Sequence, residues 1–266
     1  MVGHGSAVDE RGFRLVMRPS TAIPVGLTIG FAVLLLLGRI SEPVGIAYEF
    51  ATAGLSAYAT MCAVAAARSA EGRRRTAWNA MAGALAAWAI GDVIWLVCDY
   101  VLHVEPFPSP ADFFYFLFVG LAIYAILGLG SFDAGPRRQA QLRIALDGVT
   151  VALCVFTLAW IFALQSVYAT YRDDKLNMVI ALLYPVADMV ALAVAVAVLG
   201  RAARGQRTVL ALLALALAVT TASDVAFAYL VAADRYVVGS VIDMGWVVAL
   251  CLFIAAALSS RSTPPP

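Results

Sequence analysis

Charge is scarce in this sequence: only 13% of its 266 residues are Asp, Glu, Lys or Arg, against roughly a quarter in ordinary soluble domains. With 63% hydrophobic residues and a mean hydropathy of +0.89, it belongs to the membrane class. The net charge of +1 and the lack of a dense basic tract exclude a nucleic-acid partner. Lysine is nearly missing. Lys175 is the only one, and it falls in a predicted outer loop, so no membrane lysine is present to form a retinal Schiff base. Two histidines, His4 and His103, are too few for paired haem ligation or a histidine-rich zinc site. Four cysteines, Cys62, Cys98, Cys154 and Cys251, stand singly in apolar runs with no CxxC, and read as small packing residues. Walker, G-x-S-x-G and H-E-x-x-H motifs are all missing. Nothing calls for a cofactor, and a site of carboxylates alone has no proposed nucleophile.

Long apolar runs are what the sequence does have. Eight are long enough to cross about 30 Å of hydrocarbon: approximately 21–39, 45–67, 78–102, 111–131, 144–168, 176–200, 208–232 and 238–260. Residues 1–20 carry Arg11, Arg14 and Arg18 and lack a convincing cleavage site, so the first run reads as a retained span. Taking the loops alternately, one side receives 14 of the 18 basic residues, among them Arg73, Arg74, Arg75, Arg137, Arg138, Arg201, Arg204 and Arg207. The other side has Arg39, Arg172, Lys175 and Arg235. By the positive-inside rule the first side is cytoplasmic, and an even number of spans puts both termini there, in a multi-pass protein of the cell membrane. The tail 261–266, within "SSRSTPPP", reads as a linker leading into something else.

The sequence also repeats. "ALAAWAIGDVIW" (84–95) aligns with residues 216–227, where Ala84, Leu85, Ala86, Asp92 and Val93 are each identical to the residue 132 positions on. "SPADFFY" and "SVIDMGW" then share S-x-x-D-x-x-aromatic at an offset of 131. The expected fold is therefore an all-α, eight-helix transmembrane bundle with a parallel four-plus-four repeat, its halves at about 21–131 and 144–260.

Asp112 and Asp243 follow Ser109 and Ser240 by three, the capping-box spacing, and Pro110 suits a first helical position. Capping is the main reading for both, and ligand contact the second. Asp92, Asp188 and Asp224 lie inside spans, where a carboxylate costs at least about 2.5 kcal/mol on the lenient insertion scales. No base lies deep in a span, so these acids must be protonated, hydrogen-bonded or facing a wet cavity. Asp99, seven residues after Asp92, is expected on the same face nearer the outer rim, and Pro185 in "YPVAD" is expected to bend the helix beside Asp188. Trp95, Tyr115, Phe227 and Trp246 each follow an aspartate by three, hence on nearly one helical face, and with Tyr184 would wall an outward pocket. Aromatic belts at the interface are the competing explanation. Asp147 and Glu49 have no assigned role, and no metal is identified.

The order G-D-x-x-W, P-x-P-S-x-A-D-x-x-Y, Y-P-x-x-D, S-D-x-x-x-x-Y and G-S-x-x-D-x-G-W, over residues 80–260, resembles the amino-terminal membrane region of bacterial cyclic-di-GMP signalling proteins, common in actinobacteria. In those proteins the region precedes GGDEF and often EAL domains. The resemblance implies an input module of unknown stimulus, acting on a cytoplasmic output domain or partner; the bilayer and a second copy in a homodimer are the other partners considered. No GGDEF or EAL sequence is present, so their catalysis does not carry over. The competing readings are a small cation- or proton-coupled transporter or channel and, more weakly, a lipid-active enzyme using Asp92, Asp188 and Asp224 around a metal.

Overall fold

In hydrocarbon a backbone must satisfy its own N–H and C=O groups, which leaves the helix as the economical solution for apolar runs of this length. A computed structural model describes residues 42–104, 107–130, 138–238 and 240–262, with four isolated positions before them. Residues 1–20, nearly all of the expected first span and the end of the tail lie outside the described residues. Among the described residues all regular structure is helical. Helix α1 is Glu42–Arg68 and α2 is Gly72–Leu96, extended by a π-helical turn, Val97–Leu102. Helix α3 is Pro110–Leu129; α4 is Arg138–Ala159, continued through a π-helical turn, Trp160–Leu164, into Gln165–Tyr171. Helices α5, α6 and α7 are Lys175–Leu199, Arg207–Ala232 and Asp243–Ser262. All seven are long and apolar enough to cross a membrane, and they match the second to eighth expected spans in order. The chain is thus a helical membrane protein.

Local chemistry sets the helix ends. His103 (φ 51°) turns α2 off in the left-handed region, and Asp234 (φ 54°) does the same after α6. Ser109 caps α3 with Pro110 at its first position. Hydroxyls inside the spans bond back to their own helices: Thr52 to the Tyr48 carbonyl, Thr60 to Ser56, Thr220 to Ala216 and Thr221 to Leu217. That pairing is what lets threonine sit in a low-dielectric interior. One boundary departs from expectation. The last helix starts at Asp243 rather than near 238, because residues 241–242 form a turn stapled by Asp243 to Ser240.

Six of the helices close a ring in the order α1, α2, α3, α5, α6, α7 and back to α1. Helix α4 stands outside the ring, against α5 and the Ala232 end of α6. Only 17% of its apolar window is buried, against 39–50% in the other spans. Small residues let neighbours approach: a Cβ on Gly128 of α3 would meet the Cβ of Ala77 on α2 at 2.8 Å. The core holds fully buried Trp78, Met81 and Leu85 of α2 with Leu210, Leu213 and Leu217 of α6. Both sets advance by three and four residues, which keeps one face of each helix turned to the interior. Above them Trp88, Phe118 and Phe253 meet edge to face, at 4.8 Å between Trp88 and Phe118 and 5.9 Å between Phe118 and Phe253. The half of the bundle carrying the arginine-rich ends is thereby closed with apolar side chains.

Candidate functional site

Asp92 on α2 is held from both sides. The Ser56 hydroxyl of α1 lies 2.9 Å from its Oδ2, and the Tyr115 hydroxyl of α3 donates to its Oδ1 at 3.2 Å. Ser56 is also 2.9 Å from the Ala53 carbonyl, so one hydroxyl proton is shared among these groups. The preceding glycine makes the approach of Tyr115 feasible. A Cβ at Gly91 would sit 2.6 to 2.9 Å from three atoms of the Tyr115 ring. The motif G-D is therefore one device: the glycine admits the ring, and the acid receives its hydroxyl.

A second acid, Asp224, sits in a comparable arrangement with different chemistry. Asp224 on α6 accepts the Trp246 indole N–H of α7 at 2.7 Å, and Asp188 lies on α5, which packs against α6. Asp188, Asp224 and Trp246 lie 132, 132 and 131 positions after Ser56, Asp92 and Tyr115. A glycine again clears the way, because a Cβ on Gly245 would collide with the Ser223 hydroxyl. Asp188 is 2% exposed, and its Oδ2 has no hydrogen-bond partner. Asp92 and Asp224 are half-buried.

Trp95 and Phe227, also 132 apart, touch each other with ring centroids at 6.4 Å. Phe227 further packs edge to face on Trp246 at 5.6 Å and on Tyr236 at 4.7 Å. The structure thus brings together Asp224, Trp246, Phe227, Trp95 and Tyr236 on one side, and Asp92, Tyr115 and Tyr184 on the other. Tyr115 and Tyr184 are 6.5 Å apart, and Tyr184 stacks on Phe116 at 4.5 Å. The hydrogen bonds of two of these aromatics go to another helix. Tyr115 and Trp246 reach across to the acid of the preceding helix, because an i, i+3 side chain on a ring helix meets its neighbour before its own turn.

Asp112 completes a capping box with Ser109, as the spacing implies, whereas Ser240 caps no helix N–H and Asp243 bonds back to it from the first position of α7; each acid does more. Asp112 accepts the Ser109 N–H at 2.6 Å while the Ser109 hydroxyl accepts the Ala111 N–H at 3.2 Å, and Tyr184 donates to its other oxygen. Asp243 accepts the Ser240 N–H at 2.9 Å and the Tyr236 hydroxyl at 3.2 Å, and its carbonyl accepts from Tyr48 at 2.8 Å. Burial and the Asp243 carboxylate push the Tyr236 hydroxyl above the usual phenol range, so it stays a donor. The two acids therefore tie α3 to α5 and α7 to α1. Asp112→Ala is expected to cost about 1 kcal/mol for the lost cap and about 1 kcal/mol more for the stranded Tyr184 hydroxyl. Ser109→Ala should lose only the first part; unfolding in mixed micelles measures both.

Asp99 does not join Asp92. It lies in the π-helical turn, where the rise and rotation per residue depart from the two-turn register, and its neighbours are Glu49 of α1 and that residue's hydrogen-bond partner Tyr100. Pro185 sits within a continuous α5, one turn before Asp188. The three interior acids are not one cluster, and among the described residues no three His, Cys, Asp or Glu side chains are grouped to hold a metal. Ser56, Gly91, Ser223, Tyr236 and Gly245 went unread in the sequence as site-builders. The offset that aligns Asp92 with Asp224 also aligns Ser56 with Asp188 and is the signal that could have found the first of them. No family model matches the chain, and neither a curated protein nor a solved structure matches it.

Proposed function

We propose that the chain is a sensory input module of the cell membrane, built as eight spans in a parallel four-plus-four repeat with both termini in the cytoplasm. A small ligand, a cation or a pH change at the outward half of the ring would alter helix packing, and a cytoplasmic output domain or partner would read the change. The observation that carries this reading is the pair of acids at corresponding positions above an apolar core, Asp92 bonded to α1 and α3 and Asp224 to α7. Each couples its own helix to a neighbour, so any solute that competes for the carboxyl changes their spacing. The cyclic order α1–α2–α3 and α5–α6–α7 supports the repeat. The motif order from Gly91 to Trp246 supports kinship with the membrane regions that precede GGDEF and EAL domains, and a GGDEF- or EAL-bearing partner or a homodimer follows from that kinship.

A diguanylate cyclase fused after Pro266 tests the reading. Asp92→Asn and Asp224→Asn are each expected to shift cyclase output by about fivefold or more, the lower end of ordinary coupling energies. Output that stays constant in both variants, and in wild type across added salts, amines and pH, would overturn the sensor. A proton-coupled transporter is the second reading, favoured by the buried Asp188, whose Oδ2 has no hydrogen-bond partner, one turn after Pro185. Proton movement in sealed vesicles decides for it. The buried Trp78, Met81, Leu85, Leu210, Leu213 and Leu217 weigh against an open channel.

A further inference from the structure

We infer that Trp95, Phe227, Tyr236 and Trp246 form an aromatic corner that binds an organic ammonium ion, a quaternary or methylated amine, on the faces of their rings. In the cyclic order of the bundle α2 and α6 stand opposite each other, so Trp95 and Phe227 meet across the interior of the ring. Two turns back along α2 that interior is closed: Trp88, Phe118 and Phe253 are 6%, 3% and 1% exposed. The four rings of the corner are only half-buried, so the interior opens at the end of the bundle opposite the arginines.

The angles between the rings matter as much as their exposure. Phe227 meets Trp95 at 67°, Trp246 at 67° and Tyr236 at 83°, so the rings stand as walls and not as a stack. A stack hides its faces, whereas walls at steep angles border a common corner with them. Two of the walls are held by their polar rims. Asp224 accepts the Trp246 indole N–H at 2.7 Å, and Asp243 accepts the Tyr236 hydroxyl at 3.2 Å. Each acid therefore fixes a ring from its edge and leaves the electron-rich face to meet a cation. The acids add charge of the right sign, and among the described residues no lysine or arginine stacks on any of the four rings. A bare metal ion is poorly served, because it needs several oxygen ligands and no three His, Cys, Asp or Glu side chains among the described residues are grouped to hold one. A charge spread over methyl groups needs no such ligands and is drawn to ring faces within about 6 Å. Val104 stands 132 positions before Tyr236, so the first half lacks that wall and one site per chain is expected.

This deepens the sensor reading by naming the chemistry of its ligand, and it rests on that reading only for the consequence of binding, not for the site. Equilibrium binding of labelled choline to the full chain in maltoside micelles, at constant ionic strength, tests the site. One choline per chain is expected to bind saturably and to be displaced by tetramethylammonium, while 3,3-dimethylbutanol, its uncharged isostere, competes about tenfold more weakly. Trp95→Leu is expected to weaken binding about tenfold and Trp95→Phe to restore most of it. Tyr236→Leu, in the connection between α6 and α7, carries the test should Trp95→Leu not fold. No saturable binding in wild type below about 10 mM, equal competition by the uncharged isostere, or unchanged affinity in a folded leucine variant would overturn the site. Added phosphatidylcholine separates two sources of the same chemistry: displacement of labelled choline assigns the corner to a lipid headgroup, and unchanged binding assigns it to a free cation. With the cyclase fusion, tetramethylammonium is expected to shift output in wild type and not in Trp95→Leu. Binding beside constant output would remove the sensor reading and leave the site standing; no binding beside an output altered by Asp92→Asn would remove the site and leave the sensor reading.

Discussion

Replacing Trp88 by alanine is expected to destabilise the bundle by about 3 kcal/mol, the low end of the range for large aromatic truncations. Trp88 is 6% exposed and touches both Phe118 and Phe253, one turn from Asp92 and next to the apolar core. In a bilayer the transfer component of that loss is small, because the unfolded helix would keep its indole in hydrocarbon as well. What remains is the cavity, and Phe118 and Phe253, packed at 5.9 Å on each other, cannot both collapse into it. Trp88→Phe should recover most of the loss. Unfolding by SDS in mixed micelles gives the values; a cost below about 1 kcal/mol for the alanine variant would mean that the aromatic trio does not close the interior.

Gly91→Leu is expected to cost about 3 kcal/mol as well, by the opposite route. Any Cβ at position 91 meets the Tyr115 ring at 2.6 to 2.9 Å, so the ring must leave and its bond to Asp92 breaks with it. Overpacking accounts for about 1–3 kcal/mol and the stranded polar partners for about 1–3 kcal/mol more. A double-mutant cycle separates these effects from helix propensity. In a Tyr115→Ala background the leucine has room, and most of its cost should vanish. Gly120→Ala, where a Cβ meets nothing within 4 Å, should be near neutral and serves as the control.

Spans two to eight were legible because hydrocarbon thickness dictates run length, and a membrane helix declares itself by composition alone. The π-helical turns at Val97–Leu102 and Trp160–Leu164 were not legible, since one extra residue in a turn leaves no trace in an apolar sequence. The acids at 92, 188 and 224 stood out because they are costly where they lie. Their partners did not, because spacing along one helix says nothing about which neighbour a side chain meets. Ser56 illustrates the limit. A serine within a span ordinarily bonds its own backbone, as Ser56 does at Ala53, and only its register with Asp188 marks it as part of a site. The start of α7 was misjudged for a related reason: Val241 and Ile242 prolong an apolar run, while Asp243 bonds back to Ser240 and delays the helix.

The arginine-rich end of α2 bears Arg74, whose guanidinium reaches the Ser260 hydroxyl at 3.1 Å near the end of α7. Arg74 and Asp92 share one unbroken α-helix, and at about 1.5 Å per residue they are about 27 Å apart along its axis. The tightly packed level around Leu85 lies about 10.5 Å from the acid and about 16.5 Å from the arginine on the same scale. A stiff rod held at that level is a lever with its longer arm on the arginine side. A tilt that moves Asp92 by 1 Å carries Arg74 about 1.6 Å the other way, and the grip on Ser260 passes that displacement to the last turn of the final helix.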